Sequence, residues 1–241
     1  MAPPHPKPKR ILPAATTIEA DRVQAVLFDW DGTLLDSYHA DSTAYQAMFK
    51  KLGIAWGIAE LEKHYSPNWH RVYRAAGIPK ERWAQADQLW RAAYASLRPA
   101  LMPGTRRVLR QLAGNYVLGL VTSGNRARVR GQLRKFGFAQ VFRAAVFAED
   151  AQQRKPHPAP LKLALVRLQL RADECIYVGD SPEDIEMAHR AGVRAIAVLG
   201  PFPNHKRLRA AGASELLESL DELPATLRKM RSAAAKKRRN G

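Results

Sequence analysis

Short β-rich apolar runs recur along the chain at Val23 to Phe28, Tyr116 to Val121, Ala144 to Phe147, Cys175 to Val178 and Ala195 to Leu199. Longer segments of helical period separate them. Around the second run, Val108, Leu109 and Leu112 come before it, and Val129, Leu133 and Phe136 follow it, all at helical spacing. Strands alternating with helices in this way predict an α/β architecture: a Rossmann-like parallel sheet with crossover helices on both faces.

The interval from Ser37 to Leu101 breaks the rhythm. It reads as consecutive helices without a convincing strand and holds four of the five tryptophans. Ala44, Ala47, Met48 and Leu52 form one apolar stripe ending at Gly53, and Leu89, Ala93 and Leu97 form another, ended by Pro99. The expected organisation is a core from 21–36 and 101–224, a small helical cap at 37–100, a basic proline-rich arm at 1–20 and a basic tail at 225–241. Pro103-Gly104 marks the return to the sheet, as a hinge or as an ordinary turn before a helix.

Composition narrows the class. With 241 residues, 46% hydrophobic and 25% charged, the chain can bury a core, which excludes a wholly disordered or fibrous protein. The lone cysteine, Cys175, excludes an intramolecular disulfide and a cysteine-based zinc site and reads as a buried small hydrophobe. The longest apolar runs fall far short of the ~20 residues of a membrane helix, and the start has no apolar signal core, so a cytoplasmic, membrane-free protein is expected.

The net charge of +17 points to an anionic partner. More than half of the excess sits at the ends, because residues 1–10 and 228–241 carry basic side chains and no acid. These arms are either solubilising or make non-specific contact with nucleic acid such as RNA, while the remaining positive charge suits a small anionic substrate.

Three apolar runs end in short polar sequences, and in open α/β sheets ligands bind at the carboxyl ends of strands. In Asp29-Trp30-Asp31-Gly32-Thr33 the two-residue period of a strand sends both carboxylates to one side and Trp30 to the other. Two such acids either share a proton or hold a cation, and an oxygen-rich site of this kind prefers Mg²⁺. In Val121-Thr122-Ser123-Gly124-Asn125, hydroxyl and backbone N–H donors either meet an anion at a helix N-terminus or only cap that helix. In Gly179-Asp180-Ser181-Pro182-Glu183-Asp184, Asp184 suits a capping box, whereas Asp180 directly after an apolar strand needs a metal or a donor. The loop Lys155-Pro156-His157-Pro158-Ala159-Pro160 fixes one lysine, at a site or on a surface turn. Together these are the groups that handling a phosphoryl group requires.

Asp29-x-Asp31-Gly32-Thr33, Thr122, Lys155-Pro156 and Gly179-Asp180-x3-Asp184 have the order and spacing of the haloacid dehalogenase superfamily, and the match runs from about Val23 to Leu220. The helical insertion resembles the cap of its phosphoglycolate phosphatase-like branch. The resemblance implies a Mg²⁺-dependent phosphatase acting on a small phosphate monoester through an aspartyl-phosphate, with 2-phosphoglycolate or a sugar phosphate as candidates. It makes Asp29 the nucleophile and Asp31 the acid and base, with Thr122, Ser123, Gly124 and Lys155 on the phosphoryl oxygens. Asp29, Asp31 (through its carbonyl), Asp180 and Asp184 are the expected metal residues. Asp31 argues against dehalogenase and phosphonatase chemistry. Gly179, where phosphomutases of the β-phosphoglucomutase type usually carry glutamate, leaves the mutase as the alternative, beside a nucleic-acid-associated protein using its basic tails.

In the cap, Arg71 and Arg74 are the candidate anion readers within His64 to Arg74, or else solvated arginines of an amphipathic helix. Trp56, Trp83 and Trp90 read as cap core. A monomer or a homodimer is compatible with the sequence.

Overall fold

The computed structural model describes residues 23–239, with side chains as far as 233. The strands are β1 (Ala25–Phe28), β2 (Leu35–Asp36), β3 (Ala100–Leu101), β4 (Val117–Val121), β5 (Ala144–Val146), β6 (Cys175–Gly179), β7 (Arg194–Val198) and β8 (Glu215–Leu217). Six form a parallel sheet in the order β5-β4-β1-β6-β7-β8. Each predicted run supplies one strand, and β8 joins them as an edge.

Both sheet faces are covered, which is why the strand sequences are nearly continuous in apolar residues. Val26 and Phe28 of β1 point into one core, beneath α5 (Thr105–Ala113), α6 (Arg126–Lys135) and α10 (Leu223–Arg239). Ala25 and Leu27 point into the other, beneath α7 (Ala159–Leu168), α8 (Pro182–Ala191) and α9 (His205–Ala210). A fully buried side chain such as Phe28 or Leu27 contributes ~1.5–3 kcal/mol. The chain leaves β1 for β4 on one side and returns to β6 on the other, so a crevice opens beyond the carboxyl end of β1.

The insertion is helical as expected: α1 (Tyr38–Leu52), α2 (Ile58–His64), α3 (Trp69–Ala75) and α4 (Trp83–Tyr94). It has its own core around Tyr45, Met48, Phe49, Leu61, Val72 and Tyr73. Gly53, at φ 74°, ends α1 in the left-handed conformation that only glycine adopts without strain. The antiparallel pair of β2 and β3 forms the neck through which the chain leaves and re-enters the core. The cap also touches the core directly, where Ser66 Oγ donates to Glu183 Oε1 at 3.0 Å.

The N-terminal arm at 1–20 lies outside the described residues. The segment set apart as a basic tail is helical to Arg239, and Leu227 is buried and Met230 partly packed on the core. Among the described residues, no helix is long and apolar enough to cross a membrane.

Candidate active site

Asp29 extends the β1 ladder by one residue, its N–H donating to Val178 O at 2.9 Å. Trp30 turns into the core, fully buried, and its indole donates to Gln132 Oε1 at 2.8 Å. Asp29 and Asp31 therefore both face the crevice, as the strand period predicts. At Gly32, φ is 82°, and a Cβ there would lie 2.2 Å from Asp180 Oδ2, so both turn and acid require glycine.

The ends of β1 and β6 and the start of α8 bring Asp29, Asp180 and Asp184 together, with one carboxylate oxygen of each within 4.8 Å of the others. Lys155, buried in its proline-rich loop, reaches Asp29 Oδ1 at 2.9 Å and Asp184 Oδ1 at 2.7 Å. Burial alone would lower the lysine pKa, but Asp184 and Asp29 hold it above its usual value. Burial pushes the Asp29 carboxyl up to about 7 against the pull of Lys155, with Asp184 adding to the rise. Asp180 is raised well above the carboxylate range by burial and by Asp184 and Asp29. Three buried acids facing one ammonium leave negative charge that a divalent cation would neutralise, and an all-oxygen donor set suits a hard ion.

The oxygens of these acids are not equivalent. Asp29 Oδ1 also accepts from Trp30 N at 2.7 Å, which leaves Oδ2 without a hydrogen bond among the described residues. Asp184 meets both readings of the sequence: its Oδ2 closes the capping box on Ser181, while its Oδ1 takes Lys155. Asp180 Oδ1 accepts from Thr33 Oγ1 at 2.8 Å.

Asp31 stands apart from this cluster. Its carboxylate is forked by Arg128, with Nη1 to Oδ1 at 2.8 Å and Nη2 to Oδ2 at 2.6 Å. The carboxylates of Asp29, Asp180 and Asp184 converge, while Asp31, expected at a metal through its carbonyl, turns its carboxylate to a guanidinium.

The β4 end supplies hydrogen-bond donors to the cavity. Asn125 caps α6 by accepting from Arg128 N at 2.9 Å, while Thr122, Ser123 and Gly124 line the cavity. Gly124 N donates to Thr122 Oγ1 at 2.9 Å, which leaves the hydroxyl proton available to a ligand. A Cβ at Gly124 would sit 2.4 Å from Arg128 Nη2, so this glycine gives the fork its space.

The cap closes the other side of a cavity with about 880 Å³ of free space, mouth included. Its cap wall contains Asp41, Asp87, Tyr65, Tyr73, Trp69 and Arg91. Asp41 Oδ2 accepts from Tyr65 at 2.7 Å, and Asp87 Oδ1 from Tyr73 at 2.8 Å. Burial pushes Asp41 up to about 7, against the hydrogen bond from Tyr65. Arg71 and Arg74 are placed outside the lining: Arg71, exposed, lies 3.7 Å from Glu183 Oε1, and Arg74 donates to His70 O in its own helix. Trp56 and Trp83 pack in the cap core, and Trp90 both packs there and lines the cavity. Cys175 is buried, which pushes its thiol up to about 12 and keeps it unreactive.

A model of the haloacid dehalogenase-like hydrolases matches residues 26–198. The chain belongs to this family. A phosphoglycolate phosphatase from Yersinia pseudotuberculosis is 32% identical over 187 residues, covering 73% of this chain and 81% of that protein. A validoxylamine A 7'-phosphate phosphatase from Streptomyces hygroscopicus subsp. limoneus is 30% identical over 207 residues, covering 83% and 95%. A haloacid dehalogenase-like family hydrolase from Streptococcus pneumoniae superposes with a TM-score of 0.74 at 22% identity, covering 85% and 98%.

Within this hydrolase, two residues that sequence reasoning passed over hold the motif side chains Asp31, Lys155 and Asp184. Arg128 is one, hidden among the cations of α6 because its partner Asp31 lies 97 positions away. The other is Tyr177, whose hydroxyl accepts from Lys155 Nζ at 2.9 Å and lies 2.9 Å from Asp184 Oδ1. The signal for Tyr177 was faint: a polar-tipped aromatic inside an otherwise apolar strand. Gly179 also gains a physical reason, because a Cβ there would meet Asp184 Cβ at 2.5 Å. A glutamate at 179, as expected of a mutase, has no room.

Proposed function

We propose that this haloacid dehalogenase-like hydrolase is a Mg²⁺-dependent phosphatase that removes phosphate from a small hydroxylated monoester, a sugar phosphate in preference to 2-phosphoglycolate. The observation that carries the reading is the asymmetry of Asp29: Oδ1 is held by Lys155 and Trp30 N, and Oδ2 is left for attack on phosphorus. Asp29, Asp180 and Asp184 would hold the cation, which when bound neutralises phosphoryl oxygens and the charge of these acids.

In the first step Asp29 Oδ2 forms a bond to phosphorus while the bond from phosphorus to the ester oxygen breaks. Asp31 enters this step protonated, with one oxygen released from Arg128, and gives that proton to the departing oxygen. In the second step a water gives a proton to Asp31 and attacks the phosphorus of the aspartyl-phosphate, releasing phosphate and restoring Asp29. Thr122 Oγ1, Ser123 and the backbone at the start of α6 hold the phosphoryl oxygens, and Lys155 balances their charge. Arg128 keeps the Asp31 carboxylate turned toward the cavity.

The leaving-group preference rests on the cap wall. Asp41 and Asp87 accept hydrogen bonds, tyrosines offer hydroxyls, and Trp69 offers a flat apolar face, the set that binds a polyhydroxylated group. A carboxylate on the leaving group would meet two acids with Arg91 as the cap-side cation. The names of the two curated relatives give different substrates, so kinship alone does not choose. The test is turnover of a panel of phosphate monoesters with and without Mg²⁺. Metal-dependent hydrolysis with hexose and pentose phosphates ahead of 2-phosphoglycolate is expected; the reverse ranking refutes the preference, and no hydrolysis of any ester refutes the phosphatase.

A further inference from the structure

Three helices cover one face of the sheet, and their sequences contain no aspartate or glutamate: α5 reads TRRVLRQLA, α6 RARVRGQLRK and α10 LPATLRKMRSAAAKKRR. In the opposite layer α7 and α9 also lack acids, but α8 between them carries Glu183, Asp184 and Glu186. The three helices adjoin one another. Arg106 of α5 donates to Phe136 O just beyond α6, and Leu109 and Leu112 of α5 share one core with Leu223 and Leu227 of α10.

Some of the layer's charge is neutralised from outside. Arg107 pairs with Asp221, Arg126 with Asp150 and Arg128 with Asp31. Arg106, Arg110, Arg130, Arg134, Lys135 and Arg228 are exposed and have no acid within ion-pair distance among the described residues. Lys135 lies in a cleft beside the cap, and none of the six borders the phosphatase cavity. The excess positive charge is therefore not confined to the terminal arms: a folded face carries a share of it.

We infer that the α5–α6–α10 face binds the phosphate backbone of nucleic acid without reading its sequence. What sets this face apart is its unpaired charge, because on the opposite layer Arg167, Arg190, Arg207 and Arg209 each lie within ion-pair distance of an acid. Arginine predominates over lysine on the described part of the face, and the guanidinium fork suits phosphate oxygens. Exposed large apolar side chains among the described residues are limited to Ile58, Val117 and Val166, none of them on these helices, so the face offers nothing to insert into a bilayer. The inference does not depend on the phosphatase reading.

The test measures binding of the full chain to a fluorescent 24-base-pair RNA duplex of mixed sequence across a range of salt concentrations, beside the triple variant R110E/R130E/R134E, whose changes all lie outside the terminal arms. Binding should weaken steeply with salt, and the variant should bind at least tenfold more weakly with a salt slope lower by ~2–3. Thermal unfolding of the variant at the wild-type temperature shows that its fold is intact. Equal affinity and slope in the variant would assign binding to the terminal arms and overturn the inference. So would an absence of salt-sensitive binding, or tighter association with phosphatidylserine vesicles than with RNA.

Discussion

Arg128 holds Asp31 by both carboxylate oxygens, at 2.8 and 2.6 Å, and in doing so ties the cap to the acid proposed to carry the proton. Its guanidinium lies 5.0 Å from the ring centroid of Tyr94 and 5.9 Å from that of Trp90, both in the cap helix α4. Gln132, one turn further along α6, accepts from Arg128 Nη1 and from Trp30 Nε1. The acid, the core helix and the cap thus share one arginine. Replacing it by alanine should lower kcat ~10–100-fold with little change in KM, because the acid loses its fixed orientation. Arg128→Lys restores the charge but not the two-point fork and should recover only part of the rate. Steady-state kinetics of the two variants check this, and an unchanged kcat in the alanine variant would contradict it.

Gly179 is closed to any side chain by Asp184. A Cβ there would come 2.5 Å from Asp184 Cβ and 2.6 Å from Cγ, so Gly179→Ala must displace the acid that also binds Lys155. The expected result is a loss of ~1–3 kcal/mol of stability, from overpacking in a tightly filled region. Metal-dependent turnover should fall at least a hundredfold. Denaturant unfolding and a Mg²⁺ titration of activity measure the two effects.

The sheet and the chemistry were legible in the sequence to different depths. Strands buried on both faces announce themselves as apolar runs, and all five runs became strands. β8 escaped because it is three residues long, begins with an exposed glutamate and lies at the edge, where one neighbour suffices. The stripe Leu89, Ala93, Leu97 marked α4, but the helix ends at Tyr94 and Leu97 belongs to the turn that follows. Motif residues at strand ends could be found because their spacing is local. The cap wall could not: Asp41 and Asp87 come from separate helices and meet one cavity only after folding, while the nearby arginines of α3 turned outward.

Asp41 gives a pH signature of its own. Its folded pKa of about 7 lies above the ordinary carboxylate value of 3.8, so the folded state favours the protonated form. Its contribution to stability is most favourable below about pH 4, declines as pH rises to 7 and is then constant. Asp41→Asn should therefore raise the melting temperature more at pH 8 than at pH 5. The gain at pH 8 is ~2 kcal/mol after allowance for solvent at this half-buried site. Thermal melts of both proteins at the two pH values provide the comparison, and an equal increment at both would contradict the assignment.

The central claim is that Asp29 carries the phosphoryl group between the two steps. It is tested most directly by mixing the Mg²⁺-loaded protein with its best ester, quenching in acid within one turnover and mapping the modified peptide by mass spectrometry. The account predicts a phosphoryl group on Asp29 that disappears as turnover completes and never forms in Asp29→Asn. Turnover without any phosphorylated Asp29, or undiminished turnover by the Asp29→Asn protein, would contradict it.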